Sequence, residues 1–413
     1  MAKAVNIDIP GGSVSGHCDE KFAAIAAEFA RNFTERNEVG ASVCVKLDGE
    51  TVVDLWGGHF TRERDPATPW NEDTVTIVYS STKGATALCA HILADRGELS
   101  LDAPVADYWP EFACNGKEKT TVRMMLDHSV GVPVLREKLP DGSVYDWDYM
   151  CDRLAGEEAF WTPGERHGYH AMTFGWTVGE LVRRVSGKSL GTFFQDEIAK
   201  PLGLEFWIGT PEPVEPRISP MIPFRPEKGA PLSPLVQLAF ADDKSIPALF
   251  LFNGGGFQPN SREAHAAEIG AANGITNGRG LAGMYAPLAC GGSLGGTNIV
   301  SPEAIARMGQ VSMSTHLDET LRVPTRFALG FMKSMDNRGQ GIFANMILGE
   351  RAFGHVGAGG SIGFADPECG LSFGYTMNRM GDGILLNDRG QSLVDAAYKG
   401  LGYRSNDGGV WIA

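Results

Sequence analysis

The chain has 413 residues, enough for two or three domains or for one large domain with an insertion, and 43% of them are apolar, so a sizeable core can form. Its 36 Lys and Arg against 50 Asp and Glu leave a net charge of −14. Such a surface repels phosphate backbones and anionic lipid, which excludes nucleic-acid or membrane-surface binding as the main task. No apolar run is long enough to predict a membrane-spanning helix. The start, Met1 to Pro10, lacks the apolar stretch of a secretory signal, so a cytoplasmic protein is expected. The seven cysteines are odd in number and form no C-x-x-C pair, and the nine histidines show no metal-ligand spacing. Neither a disulfide framework nor a metal site is predicted.

Residues 19–36 carry Phe22, Ile25, Ala26 and Phe29 at helical spacing and predict an amphipathic first helix. Ala41 to Leu47 and Thr51 to Trp56 are β-rich runs around Asp48-Gly49, the signature of a hairpin. Residues 80–96 predict a long apolar helix stopped by Gly97. Shorter helical patterns follow at 121–128, 145–156, 171–186 and 189–200. Residues 211–247 hold nine prolines, a density that forbids regular helix or central strand over most of the segment. Such a stretch is either a binding loop that borders a substrate pocket or a passive wrap over the surface. Helical patterns resume at 277–289 and 301–310. The last third turns β-rich, with runs at 327–332 and 370–377, and 387–402 closes the chain as a helix. This order predicts an antiparallel sheet flanked by terminal helices, made from 1–95 and 295–413, with a mostly helical region 96–294 inserted and parts of 160–210 able to join the sheet domain.

Three segments could carry chemistry. Ser80-Ser81-Thr82-Lys83 is an S-x-x-K string at the start of the apolar helix. Positions i and i+3 share a helix face, so Lys83 can reach the Ser80 hydroxyl and act as its base. The free amides and positive dipole end of a helix start suit developing negative charge. An N-cap serine beside a lysine that snorkels to water would give the same string. Tyr169 follows the loop Pro163-Gly164-Glu165-Arg166-His167-Gly168 and precedes a helical pattern. It is either a general base reaching into a cleft or a packing residue. Gly354 to Gly363 is a glycine-rich stretch where a backbone N–H could complete an oxyanion hole, or where the chain simply turns. Ser293 and Ser361 each sit in G-x-S-x-G, but neither has the strand-before, helix-after context of a nucleophile elbow. A Ser293, Asp336, His355 triad is permitted by chain order alone.

Together the three segments resemble the penicillin-recognising serine hydrolase superfamily, in particular the family VIII carboxylesterases, which are similar to class C β-lactamases. The resemblance runs from the first helix to the last. It implies an α/β fold of the α+β type, the β-lactamase/DD-peptidase-like fold, with the active site between sheet and helical domain. It implies Ser80 as the acylated nucleophile, with Lys83 as its base or as the group that keeps Tyr169 ionised. Tyr169 would shuttle the proton to the leaving group and later activate water. The backbone amides of Ser80 and Ala358 would form the oxyanion hole. His355, Gly357 and His170 are the implied pocket residues.

Two departures bear on substrate. Ala171 stands where β-lactamases carry the Asn of Y-x-N, and His355 stands where class C enzymes place the lysine of K-T-G. A neutral histidine attracts a substrate carboxylate poorly. The expectation is therefore a serine hydrolase of small carboxylic esters with short acyl chains, needing no cofactor or metal. A β-lactamase, a D-amino-acid peptidase or amidase, or an acyltransferase on the same scaffold stays open. So does a non-catalytic scaffold or filament-forming protein, although Ser80, Lys83 and Tyr169 together argue against it.

Overall fold

The computed structural model describes residues 2–226, 229–340 and 345–413. Two strands that the sequence patterns did not announce open the chain, β1 (Ala2–Ile9) and β2 (Gly12–Asp19). They form an edge hairpin in which exposed and buried positions alternate, so their apolar signal is thin. A turn of 3₁₀ helix leads into α1 (Ala23–Glu35), shorter than the predicted 19–36. The predicted hairpin is β3 (Gly40–Leu47) and β4 (Glu50–Gly58), joined through Asp48-Gly49. The predicted apolar helix, α2, runs from Thr82 to Asp95 and is preceded by a 3₁₀ turn at Tyr79–Ser81.

Helices α3 (Trp147–Gly156), α4 (Phe174–Ser186) and α5 (Gly278–Ala289) follow. The proline-rich segment is largely irregular. It nevertheless holds a helix at Pro234–Ala241, because Pro234 falls in the first turn, where no amide is needed, and the Ser233 side chain caps that turn. Strands β5 (Phe353–Val356), β6 (Ile362–Asp366) and β7 (Leu371–Met377) complete the sheet. The chain then ends in α6 (Asp388–Leu401), capped by Asn387 and stopped at left-handed Gly402. The run 327–332 is not one strand. A strand ends at Phe327, the Ala328 amide turns back onto the Phe331 carbonyl (2.8 Å), and Met332 bridges both Phe327 and Gly354.

The seven strands form one antiparallel sheet in the order β1-β2-β4-β3-β7-β6-β5. Alternation along the strands assigns its faces. Phe364 and Phe373 stack with each other on the side of α6, where Tyr398 stacks on Phe364. Gly363 and Gly374 face α5 instead. A Cβ at Gly374 would lie 2.3 Å from the Gly278 carbonyl, so glycine is what lets this helix settle on the sheet. Helix α2 is buried along nearly its whole length, in an apolar cluster with α4 that includes Leu88, Ile92, Phe174, Trp176 and Leu181. Tyr169 and Ala171 belong to a second apolar cluster, centred on the sheet. The start of α2 thus meets the edge strand β5 and the Tyr169 loop where the two clusters adjoin.

Candidate active site

The sequence around Ser80 is held from three sides. The Val78 amide donates to the Gly274 carbonyl (2.9 Å), and the Gly274 amide donates to Thr82 Oγ1 (2.8 Å). Ser81 Oγ lies 3.3 Å from the His355 carbonyl and 3.1 Å from Ser361 Oγ, which itself donates to the Val78 carbonyl (2.9 Å). Tyr79, just before the serine, sits at φ +44°, a left-handed conformation that an L side chain adopts only when its surroundings enforce it. These ties leave Ser80 half-buried at the mouth of the helix.

Lys83 is 0% exposed and has no carboxylate beside it. Its Nζ is 2.7 Å from the Ala171 carbonyl, 3.0 Å from the Ala271 carbonyl and 3.2 Å from Ser80 Oγ. It also lies over the Tyr169 ring, 4.7 Å from the centroid. Burial without a counter-charge drives the amine well below its ordinary pKa. A neutral amine has two N–H groups and one lone pair. The two carbonyls can only accept, so they take the N–H groups, and the lone pair is left facing the Ser80 hydroxyl.

Tyr169 is set by its own backbone. Its amide donates to both carboxylate oxygens of the buried Asp318 (3.0 and 3.2 Å), which also accepts the amides of Thr320 and Leu321. The ring stacks on Phe327 (5.9 Å, 7°) and touches those of His128 (5.1 Å) and His355 (6.0 Å). Burial raises the phenol pKa and the nearby Ser80 hydroxyl lowers it less, so the phenol stays protonated. The ionised Tyr169 that the resemblance allowed is not what this surrounding favours in the free enzyme.

The third segment is a hairpin between β5 and β6. The Gly357 amide donates to the Ser361 carbonyl (2.8 Å) and the Gly360 amide to the Gly357 carbonyl (3.0 Å), with Ala358 between them at the turn. A Cβ on Gly357 would lie 2.1 Å from the Val78 carbonyl, so only glycine lets this turn press against the residues before Ser80. The turn is anchored from behind, where the Gly359 carbonyl accepts the Gly381 amide (2.9 Å) and Asn387 Nδ2 (2.8 Å). His355 is fully buried, and its Nδ1 donates to the Val356 carbonyl (2.7 Å). Burial pushes its pKa down to about 3, so the imidazole is neutral.

The structure brings Ser80, Lys83, Tyr169, His355 and Gly357 together. His170 lies behind them with both ring nitrogens occupied by backbone, Nδ1 donating to the Gly168 carbonyl (2.7 Å) and Nε2 accepting the Val132 amide (3.1 Å). Ser293 sits apart on a short hairpin, 2.9 Å from Asn298 Oδ1, while Asp336 is paired with Arg338. Those two do not assemble with His355. Ser361 is a buried tie between the turn and Val78. Sequence reasoning assigned no chemistry to His128 or to Asp318. Nor did it mark the Ala171 and Ala271 carbonyls, since any residue supplies a carbonyl. Among the described residues no group of three or more His, Cys, Asp or Glu side chains could hold a metal ion, and no helix is long and apolar enough to cross a membrane.

The sequence profile of the β-lactamase family matches residues 27–397. The chain is 36% identical over 387 residues to the esterase/β-lactamase LipL of Mycobacterium tuberculosis, covering 92% of this chain and 86% of that protein. It superposes on the crystal structure of a family VIII carboxylesterase with a TM-score of 0.83 at 39% identity, covering 94% of this chain and 99% of the other. A penicillin-binding protein homologue from Caulobacter crescentus gives a TM-score of 0.82 at 34% identity, with coverage of 94% and 99%.

Proposed function

The chain belongs to the β-lactamase family, and we propose that it is a serine carboxylesterase that cleaves small, short-chain carboxylic esters through an acyl-enzyme on Ser80. The observation that carries this is the state of Lys83, a buried amine without a counter-ion whose third contact is the Ser80 hydroxyl at 3.2 Å. In the reading proposed, the neutral amine takes the Ser80 proton as Oγ attacks the ester carbonyl. The amides of Ser80 and Ala358 hold the oxyanion, an interaction that strengthens as charge develops. The tetrahedral intermediate collapses by breaking the bond to the alcohol oxygen, which takes a proton from Tyr169, and Tyr169 is refilled from Lys83. Water then reverses the sequence on the acyl-enzyme and releases the acid. Of the alternatives the resemblance left open for the first proton, the surroundings of Lys83 and Tyr169 favour Lys83. We also propose that the site lies between the parts 1–95 with 295–413 and 96–294, the first supplying Ser80, Lys83 and His355 and the second Tyr169.

Substrate class follows from charge. The position next to Tyr169 holds a neutral histidine, and Ala171 offers no side-chain amide, so neither group favours an anionic β-lactam. Opening of a β-lactam would share the same acyl-enzyme, and the name of the Mycobacterium tuberculosis relative, an esterase/β-lactamase, favours it as a second activity. The test is hydrolysis of p-nitrophenyl butyrate and of nitrocefin by wild type and Ser80→Ala. The expected result is wild-type turnover of the butyrate well above that of nitrocefin, with both lost in Ser80→Ala. Equal butyrate turnover in both proteins would end the reading.

A further inference from the structure

Two polar atoms beside Ser80 are buried with little to match them. His355 Nε2 has no hydrogen-bond partner within the protein, Tyr169 Oη has none besides the nearby Ser80 hydroxyl, and their rings lie 6.0 Å apart. Buried polar atoms are nearly always paired, so such atoms in a reaction centre point to a group that is present only during reaction. The tautomer of His355 is dictated by its surroundings. The Val356 carbonyl can only accept, so Nδ1 carries the proton and Nε2 presents a bare lone pair. Burial keeps the ring neutral, so Nε2 stays an acceptor. A protonated lysine at this position could only donate.

A water molecule that attacks an acyl-enzyme has two hydrogens to place. One leaves with the general base. The other needs an acceptor if the oxygen lone pair is to point steadily at the acyl carbon. Ser80 makes no such demand in the first half of the reaction, because it is fixed by the chain. We propose that His355 orients the hydrolytic water of deacylation, Nε2 accepting one hydrogen while the Lys83–Tyr169 pair takes the other. The water oxygen bonds to the acyl carbon, its proton passes to that pair, and the bond from acyl carbon to Ser80 Oγ breaks as Oγ regains a proton. The acid departs and nothing is oxidised or reduced. This rests on the reading of Ser80 as the acylated residue.

The variant that tests it is His355→Asn. Its amide nitrogen can still donate to the Val356 carbonyl, but nothing reaches the Nε2 position. His355→Gln returns an oxygen to that place. With p-nitrophenyl butyrate, His355→Asn is expected to lower kcat roughly tenfold or more and KM with it, leaving kcat/KM within about twofold, because only the second step is slowed. Stopped-flow traces should gain a burst equal to the enzyme concentration. Acid-quenched protein should carry a butyryl group on Ser80, and His355→Gln should recover most of kcat. Methanol has a single O–H and needs no second acceptor, so added methanol should speed His355→Asn more than wild type and shift its product toward methyl butyrate. If kcat and kcat/KM fall together without an adduct, or if His355→Asn turns over like wild type, the proposal is overturned. Should His355→Asn fail to fold, His355→Met, which fills the space without an acceptor, takes the same assays. Ser80→Ala separates the two levels. Turnover surviving in it removes the acyl-enzyme reading itself, whereas a butyryl group on wild-type Ser80 with an unaffected His355→Asn removes only the role of His355.

Discussion

Two buried polar clusters border the same sheet and meet the cost of desolvation in opposite ways. In the first, Glu38 accepts Arg389 Nη1 at 2.6 Å and the Tyr375 hydroxyl, and both charged side chains are almost wholly inaccessible. Burial alone would lower the pKa of Arg389, but the Glu38 carboxylate holds it above its ordinary value. Here two opposite charges satisfy one another, joining the segment before β3 to α6 and β7. In the second cluster Lys83 is buried as deeply and has only carbonyls and a hydroxyl for company. Its charge is not compensated, so burial weakens the amine's hold on its proton. A paired buried ion holds elements together, whereas an unpaired one becomes a base.

Mutation should separate the clusters cleanly. Lys83→Met removes the base and is expected to lower kcat/KM for p-nitrophenyl butyrate by about 10²- to 10⁴-fold. Its urea midpoint should be no lower than that of wild type at neutral pH, since an isolated buried amine does not stabilise the fold. A clear loss of stability would mean that Lys83 is structural. Glu38→Gln should do the converse. It strands the Arg389 charge and is expected to cost about 3–5 kcal/mol of unfolding free energy, with kcat/KM of the folded fraction little changed.

The pH dependence sharpens the contrast. In the unfolded chain Lys83 keeps its proton up to its ordinary value of 10.5, and in the folded chain it loses it at lower pH. Between those limits the unfolded state binds more protons, so this residue makes stability rise with pH across the window and fall away as pH drops. Urea melts of wild type and Lys83→Met over that range should differ in slope, and kcat/KM of wild type should climb as the amine becomes neutral. A parallel pair of melting curves would show that Lys83 is charged in the folded enzyme.

The remaining serines give the small effects. Ser361→Ala breaks the buried bond to the Val78 carbonyl and should lower stability by about 1–3 kcal/mol while leaving a measurable esterase. Ser293→Ala, on its exposed hairpin, should change neither stability nor rate beyond about 0.5 kcal/mol. A dead Ser293→Ala enzyme would revive the other nucleophile.

Legibility in the sequence tracked how local each feature is. The Asp48-Gly49 hairpin, the apolar helix after Ser80 and the last helix each depend on neighbours within a few residues, and each is present. The β1–β2 hairpin escaped notice because a half-exposed edge pair carries little apolar pattern. The run 327–332 misled because buried turn residues are as apolar as strand residues. At the site, Ser80 and Lys83 could be paired from their spacing on one helix face. Tyr169 stood out only as either a base or a packing residue, and its role and the placing of His355 beside it came through family resemblance.

What the sequence determined by itself was an inventory and an order: a hydroxyl and an amine one helical turn apart, then a tyrosine behind a glycine loop, then a glycine-rich β hairpin. Tertiary structure decided what those groups are chemically. Lys83 becomes a base because carbonyls 88 and 188 residues away close over it and no carboxylate does. His355 becomes an acceptor because its own strand occupies Nδ1 while the fold buries the ring. Protonation states are set by desolvation and by the partners within a few ångströms, and those exist only once distant segments have packed.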